Sequence, residues 1–236
     1  MMNLNKQIVF GSVGLLGMMG LMLSGCGTHI ESQESVAAMP DPEPQNSAEN
    51  VDLADAETGE IVLAGGCFWC TEAVFEELKG VKSVDSGYSG GTEDSAAYTM
   101  VSAGLTDHAE SIRIRYNPEQ IKLDQILEVF FLVAHDPTQK NRQGADVGRH
   151  YRSAVFYANE AQKQVVQNFI DQLQAKNIFD APIVTTLEPL EGFYDAEDYH
   201  QNYAKLQSSN PYIQCVAMPK LAKVREKYKD WLADEK

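Results

Sequence analysis

The feature that most constrains this chain is a cysteine between an apolar strand-like run and a helix. Cys67 follows the glycine pair Gly65-Gly66 and the apolar run 61–64, and residues 68–79 carry apolar side chains at helical spacing. Free backbone N–H groups and the macrodipole at a helix start favour a thiolate. The sequence therefore predicts a strand, a tight turn and a helix, with a nucleophilic thiol at the turn.

Strand-like and helix-like segments alternate along residues 61–236, a length sufficient for one domain with a substantial core. The periodicity predicts strands at 61–64, 81–88, 110–116, 151–157 and 183–187, and helices at 68–79, 95–104, 123–134, 160–176, 195–206 and 221–232. This mixed order predicts an α/β or α+β sandwich.

The first residues have the character of an export signal. An apolar stretch from Ile8 to Leu23 follows Lys6 and stops at Leu23-Ser24-Gly25-Cys26, which resembles the lipobox of bacterial lipoproteins. The resemblance implies a signal at 1–25, cleavage before Cys26 and a lipid on that cysteine. An uncleaved membrane anchor is the alternative, although the stretch is short for a span of about 20 residues. Gly27 brings no acidic retention signal, which favours the outer membrane, facing the periplasm.

Residues 26–60 are expected to form a disordered tether. They contain many acids, several prolines and no Lys or Arg, and such a composition cannot offset the entropy of ordering. The tether supplies much of the formal net charge of −15. That charge argues against nucleic-acid binding.

Three cysteines lie in the predicted domain, namely Cys67, Cys70 and Cys215. Three do not make a disulfide framework, and no further Cys or His pair completes a metal site. Cys67 and Cys70 form a Cys-x-x-Cys pair on one helix face, where they can close a disulfide as in thioredoxin-like proteins. The alternative is two buried cysteines that serve as small apolar residues.

Glu110 is informative by its phase in the strand 110–116. It shares the even positions with Ile112 and Ile114, whereas the odd positions carry Ser111 and two arginines. A carboxyl group on the inward face keeps its neutral form and suits a proton donor. A glutamate that curls out to water at the strand end is the alternative.

Two polar segments have no role that the residues alone define. The loop 141–153 runs into a strand, and the segment 193–203 places Tyr199 and Tyr203 four residues apart, a spacing typical of packing.

Together these segments resemble the A-type peptide methionine sulfoxide reductases over nearly all of 61–232. The matching segments are 66–70 (Gly-Cys-Phe-Trp-Cys), 87–91 (Gly-Tyr-Ser-Gly-Gly), 108–110 (His-Ala-Glu), 135–139 (His-Asp-Pro-Thr-Gln), 141–153 and 193–203. The resemblance implies a ferredoxin-like α/β sandwich with long loops at 61–236. It also implies a repair enzyme, a peptide-methionine (S)-S-oxide reductase, for the S-epimer of methionine sulfoxide in proteins and as free amino acid.

The resemblance also assigns roles. Cys67 attacks the sulfoxide sulfur, Phe68 and Trp69 form the pocket for its methyl group, and Glu110 protonates its oxygen. The residues that hold this oxygen and a bound water are Tyr88, Asp146 and Tyr151. Cys67 becomes a sulfenic acid, a second thiol closes a disulfide, and a thioredoxin-like dithiol restores the enzyme. We expect no bound cofactor and a monomer.

Some positions depart from the family pattern. Asp107 and His150 stand where Gly and Gln are common, and the Gly-Tyr-Cys tail that carries the resolving cysteine in many relatives is absent. Cys70, one turn from Cys67, is the preferred resolving cysteine, and Cys215 is the alternative. Two other functions stay open: a general thiol–disulfide oxidoreductase built on Cys67 and Cys70, and a non-catalytic lipoprotein that binds methionine-rich partners.

Overall fold

A computed structural model describes residues 58–234. The predicted signal at 1–25, Cys26 and the tether as far as residue 57 lie outside the described residues. The strands are β1 (Gly59–Gly65), β2 (Val81–Ser89), β3 (Ala109–Tyr116), β4 (Arg142–Gln143), β5 (Asp146–Val147), β6 (Ser153–Tyr157), β7 (Thr186–Pro189) and β8 (Phe193–Asp195). Within residues 58–234 they form a sheet in the order β7-β6-β1-β3-β2-β8 and a separate β4-β5 pair.

Helices cover the sheet and connect its strands. The α-helices are α1 (Phe68–Glu76), α2 (Tyr98–Ser102), α3 (Leu123–Val129), α4 (Glu160–Ala175), α5 (Tyr203–Leu206) and α6 (Met218–Lys227). The π-helical turn Phe130–Ala134 follows α3, and a second π-helical turn, Ile213–Ala217, precedes α6. Among residues 58–234, none of the helices has the length and apolar character that crossing a membrane would require.

The inner strands confirm the predicted ferredoxin-like core. β6, β1, β3 and β2 are neighbours in that order, and each adjacent pair is antiparallel. Helix α1 connects β1 to β2, and α3 lies in the connection from β3 to β6, which is the split βαβ arrangement. Two edge strands extend this core, since β7 pairs parallel with β6 and β8 pairs antiparallel with β2.

The run 61–64 within β1 is apolar without interruption because both faces of the strand are covered there. Ile61 and Leu63 belong to the main core, with the inward face of β3 and the apolar side of α1. Val62 and Ala64 pack on the other face in a smaller cluster with Phe156. Central burial on both sides explains why the run 61–64 shows no polar alternation. The strand begins at Gly59, two residues before the predicted domain boundary at 61.

The predicted helix 123–134 changes type part-way. It is α-helical to Val129 and π-helical from Phe130 to Ala134. The ring of His135 reaches back to this turn, with Nδ1 2.8 Å from the carbonyl oxygen of Phe130. Apolar spacing does not distinguish the two helix types, so the sequence pattern fits both.

The predicted helix 195–206 was wrong. Residues 193–195 form β8, a short 3₁₀ turn covers Asp198–His200, and α5 begins only at Tyr203. The break lies at Asn202, whose φ of +56° is left-handed, a conformation that asparagine tolerates better than most residues. Tyr199 and Tyr203 therefore do not share one helical face, and Tyr199 is 61% exposed.

Candidate active site

The turn before α1 places Cys67, the predicted nucleophile. Gly66 has a φ of +88°, and a Cβ atom there would lie 2.6 Å from Cβ of Gln143, so only glycine fits. Cys67 follows as the N-cap residue of α1, and its carbonyl oxygen accepts from the N–H of Cys70 at 3.1 Å. Gln143 is itself fixed, because its side-chain amide both accepts from and donates to the backbone of Asp136. Cys67 is thus held at a rigid turn and is 7% exposed.

Glu110 lies against the start of the same helix. Strand pairing sets Glu110 of β3 opposite Tyr88 of β2, at the sheet end where β1 leads into α1. The backbone N–H of Phe68 donates to the Glu110 carboxyl at 3.1 Å. Burial raises the pKa of Glu110 to about 8, only partly offset by this hydrogen bond. At neutral pH the group therefore holds a proton, as its inward phase suggests.

The sequence predicts a thiolate at Cys67, but the pKa values of the two cysteines indicate otherwise. Burial raises the pKa of the Cys67 thiol well above its ordinary value, so removal from water outweighs the helix start. The sulfurs of Cys67 and Cys70 are hydrogen-bonded to each other, and this bond lowers the pKa of Cys70, which the charge of Lys220 lowers further. Negative charge in the resting pair is therefore favoured at Cys70.

A hydrogen-bonded chain leads away from Cys70. Its thiol donates to the hydroxyl oxygen of Tyr212 at 3.8 Å, and this hydroxyl donates to Asp146 at 2.6 Å. Tyr212 comes immediately before the π-helical turn Ile213–Ala217, which packs against α1. The sequence offered no signal for Tyr212, because its two partners lie 142 and 66 residues away along the chain.

Aromatic rings lie on one side of Cys67. The indole N–H of Trp69 donates to Nδ1 of His200 at 3.1 Å, and the same indole stacks on Tyr203 with ring centroids 3.8 Å apart. Phe68 is buried with its ring centroid 5.0 Å from that of His200. The predicted pocket residues therefore form one wall, to which His200 and Tyr203 also contribute. From the sequence, Tyr203 was expected only to pack, and His200 was given no role.

Three tyrosines border the carboxyl of Glu110, in different ways. Tyr88 is fully buried, and its hydroxyl donates to Glu197 at 2.9 Å, so the predicted oxygen-holding group already has a protein partner. Burial first, and then the charges of Glu110 and Cys67, raise the pKa values of both Tyr98 and Tyr151. Tyr98 therefore shares the surroundings predicted for Tyr151, and the sequence gave it no role.

The remaining predicted positions lie around this centre. Asp107 forms an ion pair with Arg149, and His150 is buried with its ring centroid 4.1 Å from that of Tyr151. Cys215 is exposed on the π-helical turn. Among residues 58–234, no group of three or more His, Cys, Asp or Glu side chains is arranged to hold a metal ion.

The sequence of the chain is similar to those of one known protein family. Residues 59–232 match the sequence model of the family described as peptide methionine sulfoxide reductase. The chain is 50% identical to peptide methionine sulfoxide reductase MsrA 2 of Synechocystis sp., over 81% of this chain and 89% of the relative. It is 49% identical to the Deinococcus radiodurans MsrA, over 73% and 84% of the two chains.

Solved structures agree with the sequence relatives. The reduced form of Mxr1 from Saccharomyces cerevisiae has a TM-score of 0.62 and 33% identity, over 69% of this chain and 92% of that one. Methionine sulfoxide reductase A of Corynebacterium diphtheriae has a TM-score of 0.56 and 31% identity, over 66% and 77%.

Proposed function

The chain belongs to the peptide methionine sulfoxide reductase family, and on that premise we propose that Cys67 and Glu110 reduce the S-epimer of methionine sulfoxide. The observation that carries this proposal is the contact between Glu110 and the first N–H of α1, next to Cys67. It sets a protonated carboxyl beside a nucleophilic sulfur in a water-poor site. The substrates are oxidised proteins and the free amino acid.

The first step needs a proton donor and a nucleophile at once. Glu110 gives its proton to the sulfoxide oxygen while the sulfur of Cys67 bonds to the sulfoxide sulfur. The hydroxyl then passes to Cys67, methionine leaves, and the proton of the Cys67 thiol restores Glu110. A thiol rather than a resting thiolate fits this exchange, because the thiol brings the proton that Glu110 loses.

Phe68 and Trp69 orient the substrate in this scheme. Their rings form the apolar wall beside Cys67 and receive the methyl group of the sulfoxide. The groups proposed to hold the sulfoxide oxygen are Tyr98 and Tyr151, with Asp146 close by. Tyr88 has a structural role in this proposal, because its hydroxyl already donates a hydrogen bond to Glu197.

The second step is the condensation of a sulfenic acid with a thiol, for which we assign Cys70. Cys70 is buried and already hydrogen-bonded to Cys67, whereas Cys215 is exposed. The Cys70 thiol loses its proton through Tyr212 to Asp146 as its sulfur attacks Cys67. The hydroxyl of Cys67 departs and takes a proton from Asp146, so that water and the Cys67–Cys70 disulfide form.

A thioredoxin-like dithiol then reduces that disulfide by exchange, and no bound cofactor takes part. The alternative of a general thiol–disulfide oxidoreductase built on Cys67 and Cys70 is disfavoured because it gives no role to the buried carboxyl of Glu110 beside Cys67. Within this proposal the enzyme acts as a monomer.

The proposed setting is the cell envelope. The support is sequence alone: the apolar stretch before Leu23-Ser24-Gly25-Cys26 and the acidic tether that follows. A lipid on Cys26 would hold the catalytic domain at the outer membrane, facing the periplasm, where the tether gives it room to reach oxidised proteins.

The test is turnover of peptides that carry the separate S and R epimers of methionine sulfoxide, with a dithiol as reductant. We expect turnover of the S-epimer only, and none by Cys67→Ser, whose alcohol cannot replace the sulfur nucleophile. Equal turnover of both epimers, or an active Cys67→Ser variant, would contradict the proposal.

A further inference from the structure

Glu72 is a buried carboxyl group on α1 that the proposed chemistry does not use. Only 1% of the residue is exposed. Its Oε1 atom accepts a hydrogen bond from the backbone N–H of Asn202 at 3.0 Å. Its Oε2 atom and the neighbouring Ser86 hydroxyl are both buried without a hydrogen bond of good geometry. Ionisable side chains are rarely fully buried, and buried polar atoms rarely lack hydrogen bonds, so Glu72 is expected to have a specific role.

Asn202 stands at the centre of the segment that holds Trp69. Two residues before it, His200 accepts the indole N–H, and one residue after it, Tyr203 stacks on the indole. Asn202 has a left-handed backbone and is the N-cap residue of α5, so its N–H has no partner within the helix. The Glu72 carboxyl supplies that partner from three residues beyond Trp69 on α1.

The segment 200–203 is therefore attached to α1 at two points. One point is the indole of Trp69, and the other is the carboxyl of Glu72. Asn202 is an exposed residue, so removal of Glu72 would free its N–H to bind water instead, which favours movement of the segment away from α1. Such a movement would carry His200 and Tyr203 away from the indole.

We propose that Glu72 is a positioning residue for the substrate pocket: it anchors Asn202, so that His200 and Tyr203 hold the indole of Trp69 where the methyl group of the sulfoxide binds. This inference rests on the proposed function for its kinetic consequence. Its structural consequence, the environment of Trp69, can be measured without turnover.

The neutral and the charged carboxyl both fit this role. Burial raises the pKa of Glu72 to about 7, so the two forms coexist near neutral pH. In either form Oε1 accepts from Asn202, and in the neutral form Oε2–H can donate to Ser86. A glutamine has the same pair of functions, with a carbonyl oxygen for Asn202 and an amide for Ser86. Glu72→Gln should therefore preserve the pocket.

The experiment compares three variants at Glu72 in a Trp231→Phe background, which leaves Trp69 as the one tryptophan of the two in the chain. Glu72→Leu removes the acceptor, Glu72→Asp shortens its reach by one methylene, and Glu72→Gln keeps it. The control is Glu76→Gln, one turn further along α1 and exposed. The measurements are the emission spectrum of Trp69, and KM and kcat for an S-epimer peptide.

We expect Glu72→Leu and Glu72→Asp to shift the emission of Trp69 and to raise KM about tenfold, the scale of one lost hydrogen bond to a buried carboxyl group. We expect kcat to change less than threefold, because Cys67 and Glu110 stay in place. Glu72→Gln and Glu76→Gln should match the parent in both readouts. If Glu72→Leu does not fold, Glu72→Asp against Glu72→Gln decides the question.

The proposal is overturned if the emission and KM of Glu72→Asp match the parent, if Glu72→Gln is as impaired as Glu72→Asp, or if kcat falls while KM is unchanged. Should the parent fail to reduce methionine sulfoxide, the proposed function is wrong. The emission spectra would then still decide whether Glu72 fixes the position of Trp69.

Discussion

The backbone N–H of Phe68 donates to the carboxyl of Glu110 at 3.1 Å, across 42 residues of sequence. Phe68 follows Cys67 directly, so this bond fixes the proposed nucleophile Cys67 relative to the proposed proton donor Glu110. It also satisfies one of the free N–H groups at the start of α1. One contact therefore serves helix capping and the geometry of the reaction together.

Glu110→Gln should slow the chemical step by about 10²-fold or more, the usual scale of general acid catalysis. Glutamine can still accept from Phe68, so the fold and substrate binding should be kept. Because the pKa of Glu110 is raised to about 8, the acid form is present below that pH and is lost as pH rises through it. Wild-type single-turnover rates should fall above pH 8, and this fall should be missing in Glu110→Gln. An unchanged rate in the variant would assign the proton to another group.

Cys70→Ser should complete one stoichiometric turnover and then stop recycling with a thioredoxin-type reductant. The Cys70 thiol is buried and hydrogen-bonded to Cys67, so its loss removes the partner for the proposed disulfide. Cys215→Ser is the matched comparison and should recycle normally. Peptide mapping after one wild-type turnover without reductant should find the Cys67–Cys70 bond. A Cys67–Cys215 bond, with Cys215→Ser stalled instead, would reverse the assignment.

Tyr212→Phe should slow disulfide formation about tenfold without changing the first turnover. The change removes the hydroxyl that accepts from Cys70 and donates to Asp146, and a buried hydrogen bond is worth roughly that factor. The sulfenic acid of Cys67 should then accumulate and be trapped by a 1,3-diketone. Tyr228→Phe is the control, since that hydroxyl donates to Glu128 instead. Equal trapping in the two variants would remove Tyr212 from the resolving step.

The free energy of unfolding of the wild type, measured relative to Glu110→Gln, should fall as pH rises from 6 to 8. The folded-state pKa of Glu110 is raised to about 8, so the folded state holds a proton that the unfolded state has already released. The loss should be on the order of 2 kcal/mol, since one pKa unit corresponds to about 1.4 kcal/mol. The comparison with the variant is needed because burial lowers the pKa values of His135, His150 and His200, which stabilises the folded state as pH rises over the same range. Urea unfolding of residues 58–234 in both proteins at several pH values measures the difference, and a difference that does not change with pH would contradict the assignment.

The protein isolated from its native membrane should carry a diacylated or triacylated Cys26 as its first residue. The reason is the Leu23-Ser24-Gly25-Cys26 site and the acidic tether after it. Mass spectrometry of the N-terminal peptide checks this, and Cys26→Ala should release the protein from the membrane fraction. An intact Met1, or an unmodified mature terminus, would refute lipid attachment.

Local patterns predicted most of the fold because its inner strands and long helices are strongly periodic. The run 61–64 and the alternation at 110–116 fall within β1 and β3. The segment 195–206 failed because a left-handed Asn202 and the pairing of β8 with β2 decide its shape. Neither a single φ value nor a long-range strand pair has a signature in local composition.

The residues of the candidate site also fall into two groups, those that local sequence patterns indicated and those that they did not. Cys67 and Glu110 could be named because a turn and a strand phase point to them. Tyr98, His200 and Tyr212 could not, since each reaches the site from a distant part of the chain. The protonated state of Cys67 was missed for another reason: a helix start is visible in the sequence, but the degree of burial that outweighs it is not.

The order of the site along the chain has a consequence for synthesis. Cys67 comes early, whereas the partners of Trp69 at residues 200–203 and the hydroxyl of Tyr212 come from the last quarter of the polypeptide. A growing chain that ends before residue 212 has its reactive sulfur but neither the complete aromatic wall nor the group that receives the proton of Cys70. We therefore expect a nascent chain to lack repeated turnover until these last segments have folded against α1.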